Sequence, residues 1–241
     1  KKTAKQALAE PRVREYMSSL FDVDIDNTPI GGLIDHLDQS MRDYADNWSI
    51  MSGKHEESGL YKRISEFAGA KSGVYVDLAC GAGNLLCALP KNMKLIGADI
   101  NPYILQRAQE NLRQAGKKTE THSDIRMGFL PGTGFVVRPE PLIEKLDLRK
   151  VQLISDDIND MGNTMRTLYY QGIKADGAFF TLAGGHSVQR SAEIITAVRY
   201  HHTGKDHGEV KSLSDILGDV LRNTPFVVKK NGRLYLAMRG T

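Results

Sequence analysis

Two aspartates and two glycines carry the densest chemical signal in this chain. Asp77 opens the run Asp77-Leu78-Ala79-Cys80-Gly81-Ala82-Gly83-Asn84, and Asp99 follows 22 residues later, at the end of Lys94-Leu95-Ile96-Gly97-Ala98. Glycines at 81 and 83 let backbone pass where a side chain would collide with a ligand. An acid about 20 residues beyond such a turn, at the tip of the next strand, is placed to grip the two hydroxyls of a nucleoside ribose. The elements that must position these groups are visible on either side. Gly73-Val74-Tyr75-Val76 reads as a buried strand entering the turn, and Leu85-Leu86-Cys87-Ala88-Leu89 as a helix leaving it. The spacing departs from the G-x-G-x-x-G that seats a pyrophosphate on a helix. A carboxylate at Asp77 would repel a pyrophosphate; it suits an amino acid's ammonium or the amides of the turn. The prediction is a nucleoside-containing cofactor.

The run resembles motif I of the class I S-adenosylmethionine-dependent methyltransferases, (D/E)-x-G-x-G-x-G, with Ala79 replacing the first glycine. The resemblance spans about residues 73–182 and 225–239. It implies an α/β fold with a doubly wound, mainly parallel, Rossmann-like sheet, S-adenosylmethionine as cofactor, and methyl transfer as the activity. It assigns Asp99 to the ribose and Gly81 and Gly83 to the floor under the methionine moiety. Asp157 and Ile158 fall to the adenine, with Asp156 the rival acid. Asp77, Ala79, Asn84 and Ile100 complete the predicted cofactor set.

On the acceptor side, residues 175–182 read as the fourth strand, and ligands of open α/β sheets bind beyond the carboxyl ends of the strands. Phe180, Thr181 and His186 are the predicted catalytic residues, His186 as the base because imidazole titrates near neutrality. Ala79-Cys80-Gly81-Ala82-Gly83-Asn84-Leu85-Leu86 also looks like the motif I of adenine amino-group DNA methyltransferases. Those enzymes hold a flipped base in a polar-Pro-Pro-aromatic box, where this chain has Thr181-Leu182-Ala183-Gly184-Gly185. The lid-like N-terminal segment favours a small-molecule acceptor, with a nucleic acid, or a non-catalytic binding and assembly role that the absent box favours, as alternatives. No metal is expected. His201, His202, Asp206 and His207 lack ligand spacing, and the acidic run 22–27 lacks the glycine and glutamate of a calcium loop.

Residues 1–70 read as a helical extension that folds over the cofactor as a lid, with Tyr44, Trp48 and His55 in it and Leu60, Ile64 and Phe67 on one helical face. Residues 71–241 form the cofactor domain. Asn101-Pro102 caps a helix whose buried face is Ile104, Leu105, Ala108 and Leu112. An insertion at about 119–150 holds a hairpin, 125–130 with 135–138. The third strand is 151–155, and an acid at Asp157 or Asp160 would cap the helix after it. Residues 227–237 resemble the family's approach to its fifth strand, although Asn231-Gly232 alone could equally turn a hairpin.

The resemblance implies two further strands that are not found. A truncated sequence, the inserted hairpin, or a partner chain (a second copy included) would then cover the fifth-strand edge. A net charge of +3 permits an anionic partner without demanding one. No run has the length of a membrane span and no signal peptide is visible. Cys80 and Cys87, the only cysteines, are expected as free thiols in a cytoplasmic protein.

Overall fold

The structure is a computed structural model that describes residues 59–69, 72–99, 101–122, 126–130, 134–138, 143–156, 162–182 and 213–238, with scattered positions between Asp24 and Asp46. Its centre is a six-stranded, all-parallel sheet. In chain order the elements are α1 (Leu60–Ala68), β1 (Gly73–Asp77), α2 (Asn84–Ala88), β2 (Met93–Asp99) and α3 (Pro102–Gln114). Next come β3 (Thr119–His122), β4 (Arg126–Leu130), β5 (Gly134–Arg138), β6 (Val151–Ser155) and α4 (Gly162–Tyr170), then β7 (Ala175–Leu182), α5 (Leu213–Val227) and β8 (Val228–Met238). Strand order is β3-β6-β2-β1-β7-β8, while β4 and β5 form a separate antiparallel hairpin. The order reverses between β1 and β7, which is the position of a ligand crevice in open α/β sheets.

Both faces of the sheet are buried, which is why β1, β2, β6 and β7 read as continuous apolar runs rather than alternating ones. Tyr75, Leu95, Leu153 and Phe179 face α1, α2 and α3. Val76, Ile96, Ile154 and Phe180 face α4 and α5. Phe179 stacks on Tyr235 at 4.9 Å between ring centroids and meets Tyr75 at 5.8 Å, a row of rings across three strands. Gly177 makes room for it, since a Cβ there would lie 2.8 Å from the Tyr75 ring. At the amino ends of the strands, Asp176 accepts the Val74 N–H at 2.9 Å and the Lys229 ammonium at 2.6 Å, tying β1, β7 and β8 together.

The fold class is the expected one, and several elements match their sequence signals. Asn101 Oδ1 accepts from the N–H groups of Tyr103 (3.0 Å) and Ile104 (3.4 Å), and α3 buries the four residues its period named. Neither Cys80 nor Cys87 forms a disulfide, and Cys80 lies in the turn, ahead of the helix that holds Cys87.

Other expectations are corrected. Helix α1 packs Ile64 on the core as expected, but its buried residues are Tyr61 and Ala68, and Phe67 is 86% exposed because the face over α2 includes the neighbours of Leu60 and Phe67 instead. The inserted segment does not extend the sheet beyond the fifth strand. It adds β3 at the opposite edge, and among the described residues its hairpin pairs only with itself. Asn231-Gly232 turns no hairpin. β8 is one strand whose register jumps from Ala175↔Val228 to Gly177↔Arg233, a bulge that a Cβ on Gly232 would obstruct.

Strand β3 had no apolar signal. Its place is fixed by pairing with β6 and by the buried Gln152, whose Nε2 donates to the Asp147 carbonyl (2.8 Å) and Glu120 (3.3 Å), leaving Oε1 to accept from His122 Nε2 (2.8 Å). No helix among the described residues is long and apolar enough to cross a membrane.

Gly97 lies where β2 passes under the turn. A Cβ there would lie 2.7 Å from Leu86, 2.9 Å from Cys80 Sγ and 3.0 Å from Leu153. Gly97→Ala is expected to cost about 1–3 kcal/mol through overpacking, read as a lower urea midpoint with an unchanged slope. An unchanged midpoint would mean that the turn has slack.

Candidate functional site

The turn between β1 and α2 sits at the carboxyl end of β1, and every part of it is anchored. The Leu78 N–H bonds the Phe179 carbonyl of β7 at 2.9 Å, and the Cys80 N–H bonds the Ala98 carbonyl of β2 at 3.0 Å. The Gly81 N–H donates to Asp99 Oδ2 at 2.9 Å, and Asn111 Nδ2 of α3 donates to the Ala82 carbonyl at 2.9 Å. Gly81 and Gly83 hold φ of +50° and +76°, a region that side chains disfavour. Gly83 also approaches α3 so closely that a Cβ would lie 3.1 Å from Ala108 Cβ.

Asp99 works at two points. Its other oxygen accepts the Asn101 N–H at 3.0 Å, so one carboxylate orients both the glycine turn and the capping residue of α3. Asp99, expected at the ribose, also contacts the turn directly. Asn111 was not foreseen, since a lone polar residue on a helix flank gives no local sign of a turn 29 residues away.

Asp77 is buried at 1% exposure, and its Oδ1 has no hydrogen-bond partner among the described residues. Burial first, and then the neighbouring Asp99 charge, push its carboxyl from the usual 3.8 up to about 7, against the pull of the Ala79 N–H. The buried Cys80 thiol is raised by burial and then by Asp99 and Asp77, which keeps it protonated and unreactive. A buried acid with one oxygen unmatched is a costly arrangement unless something else meets it.

Residues from the N-terminal segment reach this turn. Ala45 is 1% exposed in a cluster with Ala82 and Ile104. Arg42 stands 4.2 Å over the Tyr103 ring, and Arg107 bonds Asp46 at 2.7 Å. Tyr44, Trp48 and His55 lie outside the described residues, as do Ile100, Asp157, Ile158 and His186. Asp156, the rival acid, is described. It is buried, with Oδ2 accepting the Thr164 N–H at 2.7 Å, so it braces α4. Thr181 is half-buried near the end of β7. Phe180, expected on the acceptor side, is instead a core side chain at 1% exposure, because strand alternation turns it toward α4 and α5. Ala79 is half-buried after Asp77, and Asn84 is the first residue of α2.

No protein-family model matches the chain, and no curated protein matches it. Among solved structures, a Methanococcus maripaludis protein provisionally named an S-adenosyl-L-methionine-dependent methyltransferase shares 14% identity and a TM-score of 0.44. That match covers 82% of this chain and 63% of the other, so the chain spans less than two thirds of its neighbour's length. The chemistry is therefore read from this chain's own residues.

The raised Asp77 makes a stability prediction. From about pH 4 to about pH 7 the folded state holds a proton that the unfolded chain has released, so stability falls as pH rises through that window. The loss is on the order of 4 kcal/mol for this group. Asp77→Asn has no such proton to lose. Its melting temperature should exceed wild type by several degrees at about pH 8, with the gap closing toward about pH 5. A gap of constant size across that range would contradict the assignment.

Proposed function

We propose that this chain binds S-adenosylmethionine at the carboxyl ends of β1 and β2 and transfers its methyl group to a small-molecule acceptor. The observation that carries the reading is the unmatched Asp77 oxygen beneath a positive-φ glycine turn that is bonded directly to Asp99. These features fit the cofactor. A buried carboxylate with one oxygen that no described group meets suits an ammonium, glycines at 81 and 83 admit a close-lying ligand, and a carboxylate at the β2 tip suits ribose hydroxyls.

When bound, the cofactor supplies a methyl group activated on sulfonium sulfur. The rest falls to the chain. Asp77 accepts the amino-acid ammonium, while the turn and Asp99 fix the nucleoside. Asp157 and Ile158 are assigned the adenine. Thr181, near the end of β7, helps orient the acceptor, and His186, just beyond it in sequence, takes its proton, since methyl transfer depends chiefly on positioning. The packing of Ala45 against Ala82 supports a covered site, which favours a small acceptor. A nucleic-acid acceptor is the second reading, favoured by the motif I variant and tested by salt-dependent binding of RNA or DNA.

Calorimetric titration of S-adenosylmethionine and S-adenosylhomocysteine tests the proposal. Binding in the micromolar range is expected, weakened about tenfold or more in Asp99→Asn by loss of charged hydrogen bonds. A folded protein that binds neither ligand overturns it.

A further inference from the structure

The corner between β1 and β2 brings two carboxyl groups together with no described cation between them. Asp99 is hydrogen-bonded by two backbone N–H groups, an arrangement that favours a carboxylate's ionised form. Asp77 has the Ala79 N–H on its side and an Oδ1 that nothing described meets. The charged and titratable groups acting here are few. Among the described residues, Asp99 at the end of β2 is the only one whose charge weighs on Asp77, and the Cys80 thiol in the turn feels both acids. From β7 the described contact with the turn is the Phe179 carbonyl, which accepts the Leu78 N–H. No described Lys, Arg or His enters the balance at Asp77. Asp77 is buried and Asp99 half-buried; two ionised carboxylates so placed repel each other, and the more deeply buried, less well hydrogen-bonded one retains a proton.

We propose that Asp77 carries a proton in the free protein and releases it when the ammonium of an amino-acid ligand docks, so that binding exchanges a proton for a cation. This rests on the cofactor reading above and adds to it a linkage between ligand affinity and pH. Atoms and charge balance simply: the Asp77 O–H proton leaves to solvent, and the ligand's N–H donates to the resulting carboxylate. The exchange also makes the site selective. A nucleoside without a cationic group has nothing to set against the ionised acid, and it leaves the proton in place.

The sign follows from the raised Asp77, which must be ionised to receive the ligand. Apparent affinity therefore falls as pH drops below about 7, approaching about tenfold per pH unit, and is level just above that value. Titration of S-adenosylhomocysteine at about pH 6, in buffers of different ionisation enthalpy, should show close to one proton released per ligand bound. 5′-Deoxy-5′-methylthioadenosine, which lacks the amino-acid group, should release none.

Difference infrared spectra of the ligand-free protein at about pH 6 should contain a protonated-carboxyl band that Asp77→Asn lacks, a readout independent of binding. S-adenosylhomocysteine binding without proton release, or equal release by both ligands, overturns the exchange while leaving the cofactor site standing. So does a free-protein spectrum unchanged by Asp77→Asn. Binding of neither ligand to a folded protein removes the cofactor reading, and the exchange with it.

Discussion

The hydrogen bond from the Gly81 amide to the Asp99 carboxylate, 2.9 Å long, is the constraint on which the rest of the site depends. It fastens the turn after β1 to the tip of β2, and the same carboxylate holds the backbone of Asn101, the residue that caps α3. Backbone bonds from Leu78 to β7 and from Cys80 to β2 complete the frame. A turn held at so many points loses little entropy on binding a ligand, which is the benefit of preorganisation. The cost is electrostatic. Asp77 is buried beneath the turn, and drawing the turn onto Asp99 adds a second negative charge nearby; burial first and that charge second raise the Asp77 carboxyl.

The edges of the sheet beneath the site are finished with charge, polarity and a bulge. Among the described residues β8 forms one edge, with Lys229, Lys230 and Arg233 exposed along it and a bulge at Gly232. Charge and irregularity of this kind discourage strand-to-strand pairing with another sheet. The opposite edge, β3, is polar, and Glu120 meets Lys150 at 3.2 Å while Gln152 joins it to His122. Both edges are thus chemically blunt, while the interior strands, buried on both faces, carry the apolar content.

Much of this was legible in residue types and spacing. Continuous apolar runs marked β1, β2, β6 and β7 because a strand buried on two faces needs no alternation. Asn101-Pro102 announced the start of α3 through local capping chemistry. The pairing of a glycine turn with Asp99 followed from strand and helix lengths, which fix about 20 residues between the two tips. Each of these signals lies within a short stretch of chain or between neighbouring elements.

What only the tertiary structure decided are relations between distant segments. β3 is a strand because β6 and α3 arrive beside Thr119–His122, and nothing in its four polar-leaning residues says so. Phe67 is exposed and Phe180 buried because packing partners, not hydrophobicity, choose the face. Asp156 braces Thr164 rather than standing free for a ligand. Above all, the unmatched oxygen of Asp77 is a property of its surroundings. The sequence determined that an acid leads the turn, but its missing partner depends on what β2, β7 and α3 bring to that corner. Burial and long-range charge are set by three-dimensional neighbours, which local periodicity does not encode.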